Sequence, residues 1–232
     1  MRNGVALPMA IAVLMSIAVL CAGYFFASVP EARPIASSVP QSSPALSSSG
    51  PLIPASLVET SDTPVRGPVG APLTIHVIAD LQCPFCWRVQ RTLADIDEAH
   101  PGAIRWVWHD YPQSRIHPMA ELAAQAAREV RRQLGDEAFW AYQHQVFLWQ
   151  VEGLDRPRLE AIAERVPGID LERFRHALDT HEHEAAVLAS AAAVDAAHVA
   201  METPAFLIGE AWVVGVQPLE RYGAEVDRRL GR

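Results

Sequence analysis

The 232-residue chain reads as a mixed α/β protein: a strand–helix–strand unit, a block of helices, then a β-hairpin and a closing helix. Three observations carry this reading. The β-branched apolar run Leu73–Ala79 is followed by residues 87–99, which contain neither Gly nor Pro. Met119, Leu122, Ala123, Ala126, Ala127 and Val130 recur at helical spacing and make one apolar face. Two further apolar runs, 205–208 and 211–214, flank Gly209-Glu210, a two-residue turn with Gly first that suits a hairpin. With 50% apolar residues the chain has ample material for one cored domain.

The N-terminus reads as an address. Residues 4–29 carry no charge and follow Arg2. That run exceeds the roughly 7–15 apolar residues of a secretory signal and matches the roughly 20 of a spanning helix. No Ala-x-Ala site closes it, so residues 1–29 are expected to be an uncleaved signal-anchor, with a removed signal peptide as the alternative. Lipidation at Cys21 is disfavoured by Leu20 before it and by the apolar residues after it. Each version delivers the rest of the chain outside the cytoplasm, where a disulfide persists. Residues 30–64 hold Pro30, Pro34, Pro40, Pro44, Pro51, Pro54 and Pro64 among many serines, and read as a disordered linker. They show no helical period long enough for an oligomerisation coil. The folded domain, 65–232, is expected to start near Val65.

Within the domain, Leu73–Ala79 is a buried strand and 87–99 a helix that His100-Pro101-Gly102 stops. Residues 103–109 form the next strand. A helix between two strands implies that they pair in parallel. Residues 118–200 are helical, broken at Gly135-Asp136. Asp155 and Asp170 are placed to cap later helices, and a last helix spans about 182–200. Pro218 opens the closing helix.

The chemistry centres on Cys83-Pro84-Phe85-Cys86. Two cysteines three apart stay close enough to form and break a disulfide. Cys83 falls where strand turns into helix, and Pro84 suits the first helical turn, which has no use for its missing N–H. Free N–H groups and the positive end of the helix dipole favour a thiolate there, and the thiolate is the nucleophile of disulfide exchange. Cys83 is thus expected to be the exposed, reactive sulfur, with Cys86 shielded one turn further in. A structural zinc site needs four ligands, and the domain has no second Cys pair to complete one.

Other classes find less support. The formal charge is −8, there is no Lys, and no basic block is present, so nucleic acid is not expected as a partner. Thr180-His181-Glu182-His183-Glu184 looks rich in metal ligands, but residues two apart do not share a helix face, and a solvated helix start fits it better. His76 and His109 lie in strands as core or edge residues. No Ser–His–Asp set, phosphate loop or dinucleotide fingerprint is visible.

Taken together, the order of elements, the Cys-Pro-x-Cys at a helix start, and Thr203-Pro204 before the hairpin resemble DsbA-like thiol-disulfide oxidoreductases. The resemblance extends over about 68–230. It includes Asp80 three residues before the first Cys, His117-Pro118 opening the helical insertion, and the Phe139-Trp140 pair. It implies a thioredoxin-like fold with a helical insertion, about 117–200, between the second strand and the cis-Pro hairpin. It implies that Cys83 is the nucleophile and Cys86 its resolving partner. Pro84, Phe85, Thr203 and Pro204 then support the site, with Thr203-Pro204 cis beside the disulfide. The implied activity is extracytoplasmic thiol-disulfide exchange with substrate proteins, leaning to a dithiol oxidase, recycled by a membrane redox partner and needing no cofactor or metal. A reductase and a redox-silent peptide-binding module are the alternatives, and a monomer is expected. Three positions depart from the pattern. Glu202 stands where Gly usually precedes Thr-Pro, Val77 where many thioredoxins bury an acid, and Phe85 where the best-known oxidases have His.

Overall fold

The computed structural model describes residues 54–197 and 202–232. The expected signal-anchor, Cys21 and residues 30–53 of the expected linker lie outside the described residues. Among the described residues, no helix is long and apolar enough to cross a membrane.

A five-stranded sheet organises the domain. Its strands are β1 (Val65–Arg66), β2 (Leu73–Ala79), β3 (Ile104–Asp110), β4 (Ala205–Ile208) and β5 (Ala211–Val214), in the spatial order β1-β3-β2-β4-β5. The central pair β2–β3 is parallel, in register from Leu73 opposite Ile104 to Ala79 opposite Asp110. Helix α1 (Pro84–Ala99) makes the crossover between them, as the strand–helix–strand reading requires. Both strands are covered on both faces, which is why each is a nearly continuous apolar run rather than an alternating one. β4 joins β2 antiparallel and β5 joins β4. The turn between β4 and β5 has Gly209 at φ +60°, the conformation its first position demands.

Between β3 and β4 the described residues form five α-helices: α2 (Ala120–Leu134), α3 (Asp136–Trp149), α4 (Arg156–Ala163), α5 (Leu171–Asp179) and α6 (Glu184–Ala196). Helix α7 (Leu219–Leu230) closes the chain. The expected caps form: the Asp155 carboxylate accepts from the Arg158 N–H and the Asp170 carboxylate from the Arg173 N–H, each at 2.9 Å. The last insertion helix starts later than expected. A turn through His181, at φ +51°, precedes it.

Two apolar layers sandwich the sheet. Ile75, Val77, Trp106, Trp108 and Phe206 face the larger one, with Val89 and Leu93 of α1, Phe139 and Phe147 of α3, and Tyr222 and Val226 of α7. Ile78, Ala205 and Leu207 face the smaller one, with Leu57, Tyr111 and Val194 of α6.

Leu57 corrects the domain boundary. Residues 54–64 pack on the domain instead of continuing a linker. Leu57 is fully buried, the Thr60 and Thr63 hydroxyls hold a turn at 3.0 Å, and Glu59 pairs with Arg105. Averaging composition over 30–64 hides this, because the buried residues of the stretch, Leu57 and Pro64, are few among its Pro and Ser residues. β1 is also additional. It pairs antiparallel with β3, and two residues are too few to show an alternating pattern. Gly67, next along, is bound to be glycine: its φ is +92°, and a Cβ would meet the Ile104 carbonyl oxygen at 2.2 Å.

Candidate active site

Cys83 is the N-cap of α1, with extended backbone at φ −74° and ψ 121°, and Pro84 occupies the first turn. The Cys83 carbonyl accepts the helix's first bond from the Trp87 N–H at 3.2 Å. The N–H groups of the first helical turn have no partner within the helix. Both cysteines are free thiols. The sequence expectation of an exposed Cys83 does not hold: it is 3% exposed and Cys86 fully buried. The difference between them is electrostatic.

Hydrogen bonding from the Cys86 side chain, more than any other cause, lowers the Cys83 thiol to about 6. Burial opposes it, and the Thr203 side chain and the Cys86 and Phe85 N–H groups assist. Burial, followed by the hydrogen bond with Cys83, pushes the Cys86 thiol well above its ordinary value. The two sulfurs have been driven apart, one toward thiolate and one toward thiol.

The 203–204 loop forms the opposite wall. Thr203-Pro204 is cis. The Cys83 sulfur lies 3.6 Å from the Thr203 carbonyl oxygen, to which the thiol donates. Pro204 is buried, and its carbonyl accepts from the Gly215 N–H at 2.8 Å. The Gly215 carbonyl in turn accepts from the Tyr222 hydroxyl at 2.7 Å. Tyr222 and Gly215 therefore brace the loop, and the sequence reading missed both because the acceptors they bond are main-chain carbonyls. Phe85 projects to solvent at 51% exposure, with the Arg88 guanidinium 5.4 Å from its ring.

Asp80 ties the site to the helical insertion. Its N–H donates to the Cys86 sulfur at 3.5 Å, and its carbonyl accepts from the Cys83 N–H at 3.1 Å. Its buried carboxylate accepts from the N–H groups of Gln82 (2.7 Å) and Gln113 (2.8 Å), and His117 Nδ1 lies 2.7 Å from it. Gln82, also unremarked in the sequence, accepts from the Met119 N–H at 2.7 Å and so fixes the start of α2.

The remaining candidates lie elsewhere. His76 Nδ1 and His109 Nε2 are 2.9 Å apart in the core, and burial pulls the two imidazoles down to about 4 and about 3. His183 is not solvated: its Nε2 lies 2.7 Å from the carboxylate of buried Glu129. Ligand atoms of Glu129, Glu182 and His183 gather within 4.8 Å. Arg132 already holds Glu129 at 2.9 Å and Arg173 pairs with Glu182, so the cluster is a compensated ion network. Burial drives the Glu129 carboxyl up, but hydrogen bonds from Arg132, His183 and Gln133 outweigh it and hold it at about 2.

A central parallel pair, an antiparallel hairpin, a Cys-x-x-Cys at a helix N-terminus and a cis-proline loop facing it define a thioredoxin-like fold with a helical insertion. A thioredoxin family model matches residues 59–228, and the chain belongs to that family. Among solved structures, a thioredoxin-like oxidoreductase from Silicibacter pomeroyi DSS-3 is similar at 24% identity and TM-score 0.63, covering 76% of this chain and 97% of that one. The thiol-disulfide exchange protein alpha-DsbA2 from Wolbachia pipientis is similar at 21% identity and TM-score 0.62, covering 72% and 86%. A periplasmic thioredoxin-like protein from Salmonella enterica serovar Typhimurium is similar at 18% and 0.62, covering 77% and 95%. At these identities the likeness is one of fold. The chain is also 32% identical over 144 residues to the Na(+)/H(+) antiporter NhaA 3 of Salinispora tropica, across 62% of this chain but 21% of that protein. It thus spans about a fifth of the length of that curated relative.

Proposed function

We propose that the protein is a thiol-disulfide oxidoreductase that exchanges a Cys83–Cys86 disulfide with thiols of substrate proteins. The observation that carries this reading is the Cys83–Cys86 pair at the N-terminus of α1 facing the cis Thr203-Pro204 loop, with the Cys83 sulfur 3.6 Å from the Thr203 carbonyl oxygen. In the oxidising direction a substrate thiolate attacks Cys83 Sγ, a mixed disulfide forms, and Cys86 leaves and takes up a proton. A second substrate thiolate then attacks the substrate sulfur of the mixed disulfide. The substrate disulfide forms and the Cys83 thiolate departs. A low-pKa thiol is the faster leaving group, so the last step favours release from Cys83. Stabilising that thiolate also stabilises the dithiol form, which makes the disulfide more oxidising. Phe85 adds no charge to that effect, and the Cys83 value of about 6 falls between the roughly 7 of thioredoxin and the roughly 3.5 of a strong oxidase. We favour the oxidase over the reductase because the large helical insertion between β3 and β4 matches the DsbA-like order of elements. The exposed Phe85 and the wall at Thr203-Pro204 are the surfaces a substrate chain would meet.

We place the domain on the extracytoplasmic side, tethered through residues 4–29 and acting as a monomer with a membrane redox partner that renews the disulfide. The uncharged N-terminal run, the persistence of disulfides outside the cytoplasm and the fold shared with a periplasmic protein support this. Equilibration with glutathione tests the activity. The pair is expected to cycle with a potential less negative than the roughly −270 mV of thioredoxin. A potential at or below that of thioredoxin supports the reductase, and a pair that does not cycle leaves only the peptide-binding module.

A further inference from the structure

The Asp80 carboxylate accepts from the Gln82 N–H and the Gln113 N–H, and His117 Nδ1 lies 2.7 Å from it. Two of these are main-chain N–H groups, which can only donate, an arrangement that suits a carboxylate. It is fully enclosed, whereas the His117 side chain is 17% exposed. The same residue touches both cysteines through its main chain, donating to Cys86 Sγ and accepting from the Cys83 N–H. A buried negative charge thus sits on the residue that holds the dithiol, and a like charge nearby disfavours a thiolate. His117, 37 positions along the chain at the entrance to the helical insertion, is the one side-chain partner opposing it.

We infer that Asp80 and His117 are a positioning pair that sets the redox poise of Cys83–Cys86: His117 offsets the Asp80 carboxylate, and so holds down its repulsion of the Cys83 thiolate. Neither residue touches the reacting sulfur through its side chain. The inference rests on the proposed exchange activity and adds what tunes it. It also gives the helical insertion a part in the chemistry, because the loop from Gln113 to Met119 is fastened to the cysteine turn at three places, through Gln113, His117 and Met119.

The two partners then act in opposite directions. His117→Ala leaves the carboxylate with two of its three partners. The Cys83 titration midpoint is expected to rise, and the glutathione equilibrium to move at least threefold toward the disulfide. Asp80→Asn removes the charge, and both readouts are expected to move at least threefold the other way. His117→Gln, which keeps a donor and tests the hydrogen bond separately, is expected to lie between wild type and His117→Ala. The measurements are thiolate absorbance against pH and the glutathione equilibrium constant, on the purified full chain. A merely structural pair would give shifts of the same sign, or none with only a lower melting temperature, and either result overturns the inference. If Asp80→Asn fails to fold, wild-type values in both His117 variants overturn it equally. A wild-type protein that does not cycle would instead refute the exchange activity itself, so the two failures are distinguishable.

Discussion

Cys83 owes its lowered thiol to neighbours that are nearly all local: Cys86, the N–H groups of Phe85 and Cys86, and one distant group, Thr203. Its alkylation rate in the reduced protein is expected to reach half its plateau near pH 6, with Cys86 unlabelled; a midpoint near 9, or equal labelling of the two, would refute the assignment. Linkage gives the matching sign for stability. The folded value lies below the ordinary one, so the Cys83 contribution to the reduced form is fully present above about pH 9 and is lost as pH falls through about 6. These residues were legible in the sequence because a strand end, a proline and a helix start are consecutive. Asp80 and His117 could be singled out by resemblance, but no spacing rule joins side chains 37 residues apart. The braces at Gly215 and Tyr222 were illegible because Gly215 bonds the loop through its main chain and the Tyr222 hydroxyl bonds a main-chain carbonyl, groups that leave no side-chain pattern to read.

At the level of elements, the parallel register of β2 and β3 puts two histidines on one sheet face, His76 opposite Val107 and His109 opposite Ile78. The pair shares one hydrogen bond, and His76 Nε2 has no partner among the described residues. Burial lowers the two imidazoles to about 4 and about 3. The unfolded chain, with histidines near 6.5, therefore binds more protons between these limits, and stability falls as pH drops from about 6.5 to about 3. His76 alone accounts for roughly 3 kcal/mol of that slope. Replacing both by Leu removes two buried polar groups together, and is expected to flatten the melting temperature against pH over this range. An unchanged slope would show that carboxylates carry it. Helices with an apolar face and an Asp cap could be read directly, since cap and period are both local. A two-residue edge strand has no period, and the histidine contact depends on strand register, which the sequence of either strand alone does not contain.

For the molecule as a whole, the sheet separates two unequal layers, and the chain enters by the smaller one through Leu57, under α6. The cysteines belong to the larger layer on the other side of the sheet. The entry stretch is held by buried Leu57 and Pro64, the Glu59–Arg105 pair, the bond from the Trp108 N–H to the Pro64 carbonyl, and main-chain bonds to Arg131 and Arg128. Its attachment is a row of separate fastenings. Tension applied through the N-terminal end therefore loads these one after another before it reaches the paired strands. In a force-extension measurement with the ends held at residue 54 and the C-terminus, an early, low-force yield is expected ahead of the main rupture. Its length should be at most about 40 Å, the reach of eleven extended residues. Leu57→Ala should lower or erase that yield and leave the main rupture force unchanged. A single rupture with no early yield in the unmodified chain would show that the entry stretch and the sheet yield as one piece. A protein pulled in this way would play out a short length of slack while its cysteines stayed aligned.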